Sequence, residues 1–330
     1  MKKVLIVGAG PAGLACARTL ADAGYNTNVI DKRSYIGGMC SSFNIDGFIF
    51  DWLVHYSFTQ NNDVISIFNR LCNNNVREFK PNVYNLYHSH FIKHPVQNNL
   101  SSLGVLNGLS YLMSYPFRDK HNIDDYYDWL CASYGKKFAD HFPLFYTSKY
   151  WCSHPKEIET QWIGTRMSNI SFRDFLKSIQ IKKENLKYYH KSQRYPLYGG
   201  YQTFLNSLYG NYKVSLKTEL NAIDLNRKKA NTNIGDIEYD YIVYTAPLKE
   251  LYQYIPGEHT LKADCTQLHH TSGYMVSIGL NKKSAGKGYF FYIYDKDILF
   301  ARAYYPHLRS PNNVPHGMYS IQLEYYTRDG

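Results

Sequence analysis

Apolar residues fall in unbroken runs, in helical spacing and in alternation in different parts of this chain. Each change of pattern marks an element. Lys3-Val4-Leu5-Ile6-Val7 is a short apolar run ended by Gly8, which reads as a buried strand. Residues 12–23 then carry Leu14, Ala17 and Leu20 on one helical face, and Gly24 stops the helix. A second strand, Asn28-Val29-Ile30, ends at Asp31. From about residue 80 to 190 apolar and aromatic positions keep helical spacing, as in Tyr126-Tyr127-Asp128-Trp129-Leu130. Strand and turn signals return after Tyr195. Tyr195-Pro196-Leu197-Tyr198-Gly199-Gly200 is a turn that leads into a helix over 202–209. Lys213-Val214-Ser215-Leu216 is a strand, and Tyr241-Ile242-Val243-Tyr244 reads as a buried parallel strand closed by Thr245-Ala246-Pro247. From about residue 270, runs such as 288–294 and 318–324 alternate and predict an antiparallel sheet.

The first strand runs straight into Gly8-Ala9-Gly10-Pro11-Ala12-Gly13. Strand, G-x-G-x-x-G and helix together form a dinucleotide-binding fingerprint. Gly8 permits the tight turn, Gly10 lets backbone approach a pyrophosphate, and Gly13 lets the helix pack close on the strand. The phosphates would sit at the helix N-terminus, where free N–H groups and the dipole favour negative charge. Asp31 lies about 20 residues further on, placed for a ribose hydroxyl. A second glycine pair follows at Gly37-Gly38, where backbone without Cβ atoms can pass close to a pyrophosphate or a flavin ring. The joined motifs read as an adenine-dinucleotide site.

Composition narrows the partners. Of the 330 residues, 44% are hydrophobic and 19% charged, which are globular values. The formal charge is +10, yet no run of five basic residues occurs, so a nucleic-acid surface is not indicated. The positive field would instead draw small anionic substrates. Six scattered cysteines with no C-x-x-C read as reduced thiols of a cytoplasmic protein. Met1-Lys2-Lys3 imitates the charged end of a signal peptide, but the apolar run after it is too short. No stretch approaches the roughly 20 apolar residues of a membrane span.

With Gly37 and Gly38 added to the first motif, the chain resembles the flavoproteins that include amine oxidases, protoporphyrinogen oxidase and UDP-galactopyranose mutase. Within that group it is most similar to the mutase, in segments that run in order along nearly the whole chain. In 50–58, Phe50-Asp51-Trp52-Leu53-Val54-His55-Tyr56-Ser57-Phe58, His55 matches a histidine that faces the flavin, and Leu53 replaces a usual glycine. A Pro-x-x-Asn stretch at His94-Pro95-Val96-Gln97-Asn98 matches another segment without an assigned role. Tyr146-Thr147-Ser148-Lys149-Tyr150-Trp151, then Pro155-Lys156-Glu157 and Arg166, resemble the mutase substrate segment. The resemblance implies that Trp151 lies over the nucleotide sugar and Arg166 meets the diphosphate, with Tyr146 and Tyr195 as further substrate contacts. It places Pro11, Ala12, Lys32, Met39, Leu220 and Thr245 beside FAD, in addition to the glycines and Asp31. His55 and Arg166 become the catalytic candidates. No metal site is expected.

The expected fold is α/β: a doubly wound, glutathione-reductase-like Rossmann domain with a helical insert and an antiparallel substrate sheet. Residues 1–75 and 191–255 would form the FAD domain, 76–190 the helical insert, and 256–330 the sheet region. Mutase relatives continue past the Glu324 region into a segment with phosphate-binding arginine and tyrosines. Nothing like it precedes Gly330, and the expectation is that these 330 residues are incomplete as a catalyst. The resemblance implies nucleotide-sugar chemistry for cell-surface polysaccharide synthesis through reduced flavin. A flavin oxidase or desaturase is the alternative, as is a non-catalytic nucleotide-binding protein. A homodimer stands beside a monomer as the expected assembly.

Overall fold

The strand Lys3–Val7 has no solvent face. Val4 and Ile6 pack with Leu14, Ala17, Val29 and Leu205, while Leu5 and Val7 pack with Ile30, Leu220, Ile223 and Ala230 on the other side. A strand buried on both faces needs covering layers on both, which is why its sequence is an apolar run and not an alternation. In the computed structural model, all residues are described except 119–121, 165, 168, 181–190, 256, 258, 283–286 and 329–330. They form two units, and each is discontinuous in sequence.

The first unit comprises 1–77, 194–270 and 310–313. Among the described residues its central sheet has four parallel strands, in the order Tyr241–Tyr244, Lys3–Val7, Asn26–Asp31, Lys213–Leu216. The register sets Val4 beside both Tyr241 and Thr27. Helix Pro11–Asp22 covers one face, starting one residue earlier than expected because proline is suited to a first helical turn. A three-stranded antiparallel sheet, Leu220–Asp224, Lys229–Thr232 and Gly235–Glu238, supplies the apolar residues of the other face. This is the doubly wound arrangement. The helix expected over 202–209 is a single turn, Thr203–Asn206, whose Leu205 is buried under the sheet. The hairpin Ser42–Ile45 to Phe48–Asp51 turns over Asp46 and Gly47, both at positive φ, as a two-residue hairpin demands.

The second unit comprises 78–193, 271–309 and 314–330. Its six-stranded sheet runs Thr271–Leu280, Tyr319–Arg328, Arg302–Tyr304, Phe290–Ile293, Val83–Tyr87, His90–Lys93. All pairings are antiparallel except that of Phe290–Ile293 with Val83–Tyr87. Helices Val105–Ser114, Tyr126–Tyr134, Lys136–His141, Pro143–Trp151 and Phe172–Gln180 close over a core that includes Ile92, Leu130, Phe138, Phe142 and Phe175. The sequence reading kept the helical segment apart from the C-terminal sheet, whereas here they share one unit. Tyr84, Tyr87 and Phe91 stand at helical spacing, but His88 and Ser89 turn at positive φ and make the segment a hairpin of that sheet.

Candidate functional site

Each unit holds one cleft that gathers candidate residues. In the first unit the chain leaves Val7 through Gly8 at φ +110°, where a Cβ would lie 2.6 Å from Thr245 Oγ1. Glycine is required there on both counts. At Gly13 a Cβ would lie 1.9 Å from the Gly8 carbonyl oxygen, so only glycine lets the helix lie on the turn. Gly10 differs: its φ is −76°, and a Cβ would meet no atom within 4 Å. The absent side chain there leaves open space beside the helix start. No side chain caps that start, and its first N–H groups have no intrahelical acceptor. Uncapped N–H groups beside open space form an anion cradle.

The cradle continues into a cleft of about 550 Å³. Gly8, Gly10, Pro11, Ala12 and Thr245 form its floor. Thr245 fixes that floor by donating from Oγ1 to the Val7 and Gly8 carbonyls, at 3.0 and 3.2 Å. Asp31, Lys32 and Leu220 line one wall, and Gly38 and Met39 the other. Asp31 accepts from the Ala9 and Arg33 amides, each at 2.8 Å, so its carboxylate is held in one orientation at the strand end. Lys32 lies 3.7 Å from Glu250. A Cβ on Gly38 would come within 3.6 Å of the Gly10 Cα, so the two glycine motifs meet at one spot. Gly13 and Gly37 do not line the cleft. Gly37 packs behind it at φ +99°, with a Cβ position 2.7 Å from Leu205.

Two other candidates of this unit stand outside that cleft. His55 makes a 3.0 Å hydrogen bond from Nδ1 to the Leu53 carbonyl and stacks on Tyr201 at 5.4 Å. Tyr195 is buried, donates to Asp51 at 2.8 Å and accepts from Asn313 at 3.3 Å. Its hydroxyl braces Asp51, which also accepts from Ser42 and the Tyr201 amide. The structure thus gives Tyr195 a place in the core and not on a cleft wall.

The second unit's cleft holds about 480 Å³. Helix Pro143–Trp151 sends Tyr146, Tyr150 and Trp151 into it. Burial pushes the Tyr146 phenol well above its ordinary range, so the hydroxyl stays protonated. Among the described residues that hydroxyl and the Trp162 indole N–H have no partner. Trp151 is half exposed and lies 5.8 Å from Trp162. Lys149 of the same helix is turned elsewhere: its ammonium donates to the Ile293, Asp295 and Ile298 carbonyls and pins the chain after a strand. Burial pushes its pKa down to about 8.

Arg166 stands exposed on the cleft rim. A second guanidinium, Arg302, reaches the cleft from a strand, with Nε donating to Glu324 at 2.6 Å. The two residues face each other across paired strands, and Tyr326 donates to the same carboxylate oxygen at 2.6 Å. Among the described residues no aspartate or glutamate lines the cleft, and since Glu324 offsets Arg302 from behind, Arg166 carries the surplus positive charge of the lining. The sequence reading found Tyr146, Trp151 and Arg166 but missed Tyr150, Trp162 and Arg302. A signal was present for Arg302: it is the single charge in the apolar run 298–306, and Glu324 is the single charge in the alternating run 318–326. Among the described residues no group of three His, Cys, Asp or Glu could hold a metal ion.

Comparison with known proteins agrees with this architecture. Residues 6–71 match a family model described as an NAD(P)-binding Rossmann-like domain. A 4,4'-diapophytoene desaturase (4,4'-diapolycopene-forming) of Methylomonas is 42% identical over 50 residues, 15% of this chain and 10% of that protein. The chain therefore covers about a tenth of the length of that relative. A crystal structure of reduced UDP-galactopyranose mutase superposes with a TM-score of 0.91 at 21% identity, over 99% of this chain and 75% of that one. A putrescine oxidase structure bound to putrescine gives 0.62 at 14% identity, over 98% and 75%. The chain has the fold of UDP-galactopyranose mutase.

Proposed function

We propose that this protein binds FAD in the first unit's cleft and acts on a nucleotide sugar in the second's, as a UDP-galactopyranose mutase-like enzyme. The FAD assignment is supported by open space at Gly10 beside uncapped helix N–H groups, with Gly38 closing on the same spot. The pyrophosphate would lie on the amides after Gly10, and Asp31 would accept from the adenosine ribose. Bound there and reduced, the flavin would contribute nucleophilic chemistry toward an anomeric carbon, while the chain's own residues hold it in place.

The observation that carries the substrate reading is an exposed tryptophan and an exposed arginine, Trp151 and Arg166, lining one cleft with a second guanidinium, Arg302, held against Glu324. Arg166 and Arg302 offer forks matched to diphosphate oxygens, and Trp151 a flat face for a base or sugar. Tyr146, kept protonated by burial, can donate to a further oxygen. The chain's own part is then to hold the sugar nucleotide in place and offset its charge. Six free cysteines suit a cytoplasmic setting, in which the product would enter polysaccharide synthesis. A second reading, a flavin desaturase or oxidase, draws on the desaturase match within the dinucleotide-binding segment. A polyene substrate would have to lie beside the charged Arg166 at the rim of the second unit's cleft, which counts against it.

Titration with UDP, followed by tryptophan fluorescence, separates the two readings. The mutase-like reading expects saturable binding that weakens about tenfold or more in Arg166→Ala, since a charge-assisted hydrogen bond contributes roughly 1.5–3 kcal/mol. Trp151→Ala should weaken it as well. No UDP binding, together with oxygen-consuming turnover of an amine or a polyene, would establish the second reading instead.

A further inference from the structure

The helix Val105–Ser114 and the turn Tyr115–Phe117 carry an apolar stripe that the protein leaves in water. Leu106, Leu109, Met113 and Phe117 follow at spacings of three and four residues and are 85%, 40%, 74% and 89% exposed. The helix's other face is fully used. Gly108 sits so close to Ile179 that a Cβ would lie 2.8 Å from it, and Tyr111 and Leu112 are buried. The helix has no charged residue at all. Asn107, Ser110 and Ser114 give it only a narrow polar strip, and a contiguous open apolar stripe of this kind marks an interaction surface.

The surroundings indicate what covers it. Gly108 and Tyr111 pack the helix against its neighbours Phe172–Gln180 and Lys136–His141, and these present Lys136, Lys137, Arg173 and Lys177 to solvent. Lys137 Nζ lies 5.9 Å from the Tyr111 ring centre, against the helix itself. The cations outnumber the acids on the two neighbours: Asp140 pairs with Lys136 at 2.8 Å, and Asp174 stands against Lys137, Arg173 and Lys177. An apolar stripe flanked by an excess of cations is complementary to an anionic lipid surface.

We propose that this face binds anionic membranes peripherally. Leu106, Met113 and Phe117 enter the headgroup boundary, and the flanking cations sit at phosphate level. A second copy of the chain fits worse, because a two-fold contact here would bring Lys137, Arg173 and Lys177 toward their own counterparts. Contact is at the surface, since no described helix is long and apolar enough to cross a membrane.

Co-sedimentation with vesicles of phosphatidylcholine alone, or mixed with phosphatidylglycerol, tests this on the full chain. Wild type should partition onto the mixed vesicles and hardly onto the neutral ones. Leu106→Glu with Met113→Glu and Phe117→Glu should cut that partition at least about tenfold, as three exposed apolar anchors are lost. Its melting temperature should match wild type, because these side chains have no packing to lose. Lys137→Gln with Arg173→Gln and Lys177→Gln should weaken binding and flatten its salt dependence. The proposal is overturned if wild type ignores anionic vesicles, or if binding survives the triple glutamate variant. It is equally overturned if wild type is a dimer that this variant splits, because the stripe then joins two copies.

Discussion

Gly10 and Gly13 belong to one motif, yet the structure gives them opposite reasons to be glycine. A Cβ at Gly13 would collide with the Gly8 carbonyl oxygen at 1.9 Å, whereas at Gly10 it would enter empty space. Gly13→Ala should therefore cost folding stability, by about 1–3 kcal/mol or more as expected of overpacking against backbone. Gly10→Ala should fold within about 0.5 kcal/mol of wild type but take up markedly less flavin. Thermal melts of the flavin-free protein and bound flavin after reconstitution check the pair. Equal flavin uptake in Gly10→Ala and wild type would mean that the open space serves no ligand. The packing role of Gly13 was legible in the sequence because steric exclusion is local to the turn. That of Tyr195 was not, because its partners Asp51 and Asn313 come from distant segments. Arg302 was overlooked for the same kind of reason, since only the strand register sets it opposite Glu324.

At the level of elements, helix Pro143–Trp151 divides its labour between two faces. Tyr146, Tyr150 and Trp151 serve the cleft, and Lys149 pins the backbone after strand Phe290–Ile293 through three carbonyls. The sequence segment is a single string, so the resemblance alone could not separate substrate positions from the structural lysine. Lys149→Met should loosen residues 293–298, read as faster hydrogen exchange there. The lysine also carries a pH signature. Its folded-state pKa is pushed down by burial to about 8, against an ordinary 10.5, with Asp295 opposing that shift. Between those values the unfolded chain holds a proton that the folded chain has released, so stability from this group rises with pH. It is fully present above about 10.5 and lost as pH falls through about 8. The stability difference between wild type and Lys149→Met should therefore grow in favour of wild type across that window. Denaturant melts at several pH values would reveal it, and a difference independent of pH would argue against a depressed lysine. The parallel sheet of the first unit was readable because its two neighbouring strands Lys3–Val7 and Tyr241–Tyr244 are apolar runs and the glycine fingerprint joins the first to Asn26–Asp31. The hairpin around His88 was not, because its aromatic spacing imitates a helix and only the turn backbone decides otherwise.

For the whole molecule, each cleft is built entirely within one unit, and each unit is assembled from separated stretches of chain. Sequence order therefore did not show that the helical stretch and the C-terminal sheet share one unit. This division sets up a test of both ligand assignments at once. FAD binding in the first cleft should slow hydrogen exchange at the amides after Gly10 and around Leu220, which line that site. UDP should slow exchange in helix Pro143–Trp151 and strand Arg302–Tyr304, which carry the second cleft's aromatic and cationic groups. At 100 times its dissociation constant each ligand would add about 2.7 kcal/mol of stability to the unit that binds it. The formal charge of +10 adds a kinetic expectation: association of UDP should slow as salt is raised, because the field that draws an anion is screened. If UDP protected only the segments after Gly10 and around Leu220, it would be acting as a nucleotide in the dinucleotide cleft. The second cleft would then lose its claim to a nucleoside diphosphate, while the FAD assignment would stand. If FAD protected neither of its two segments, the first cleft would fail as a flavin site whatever UDP did. The two assignments can thus fall separately, because they rest on different side chains in different units.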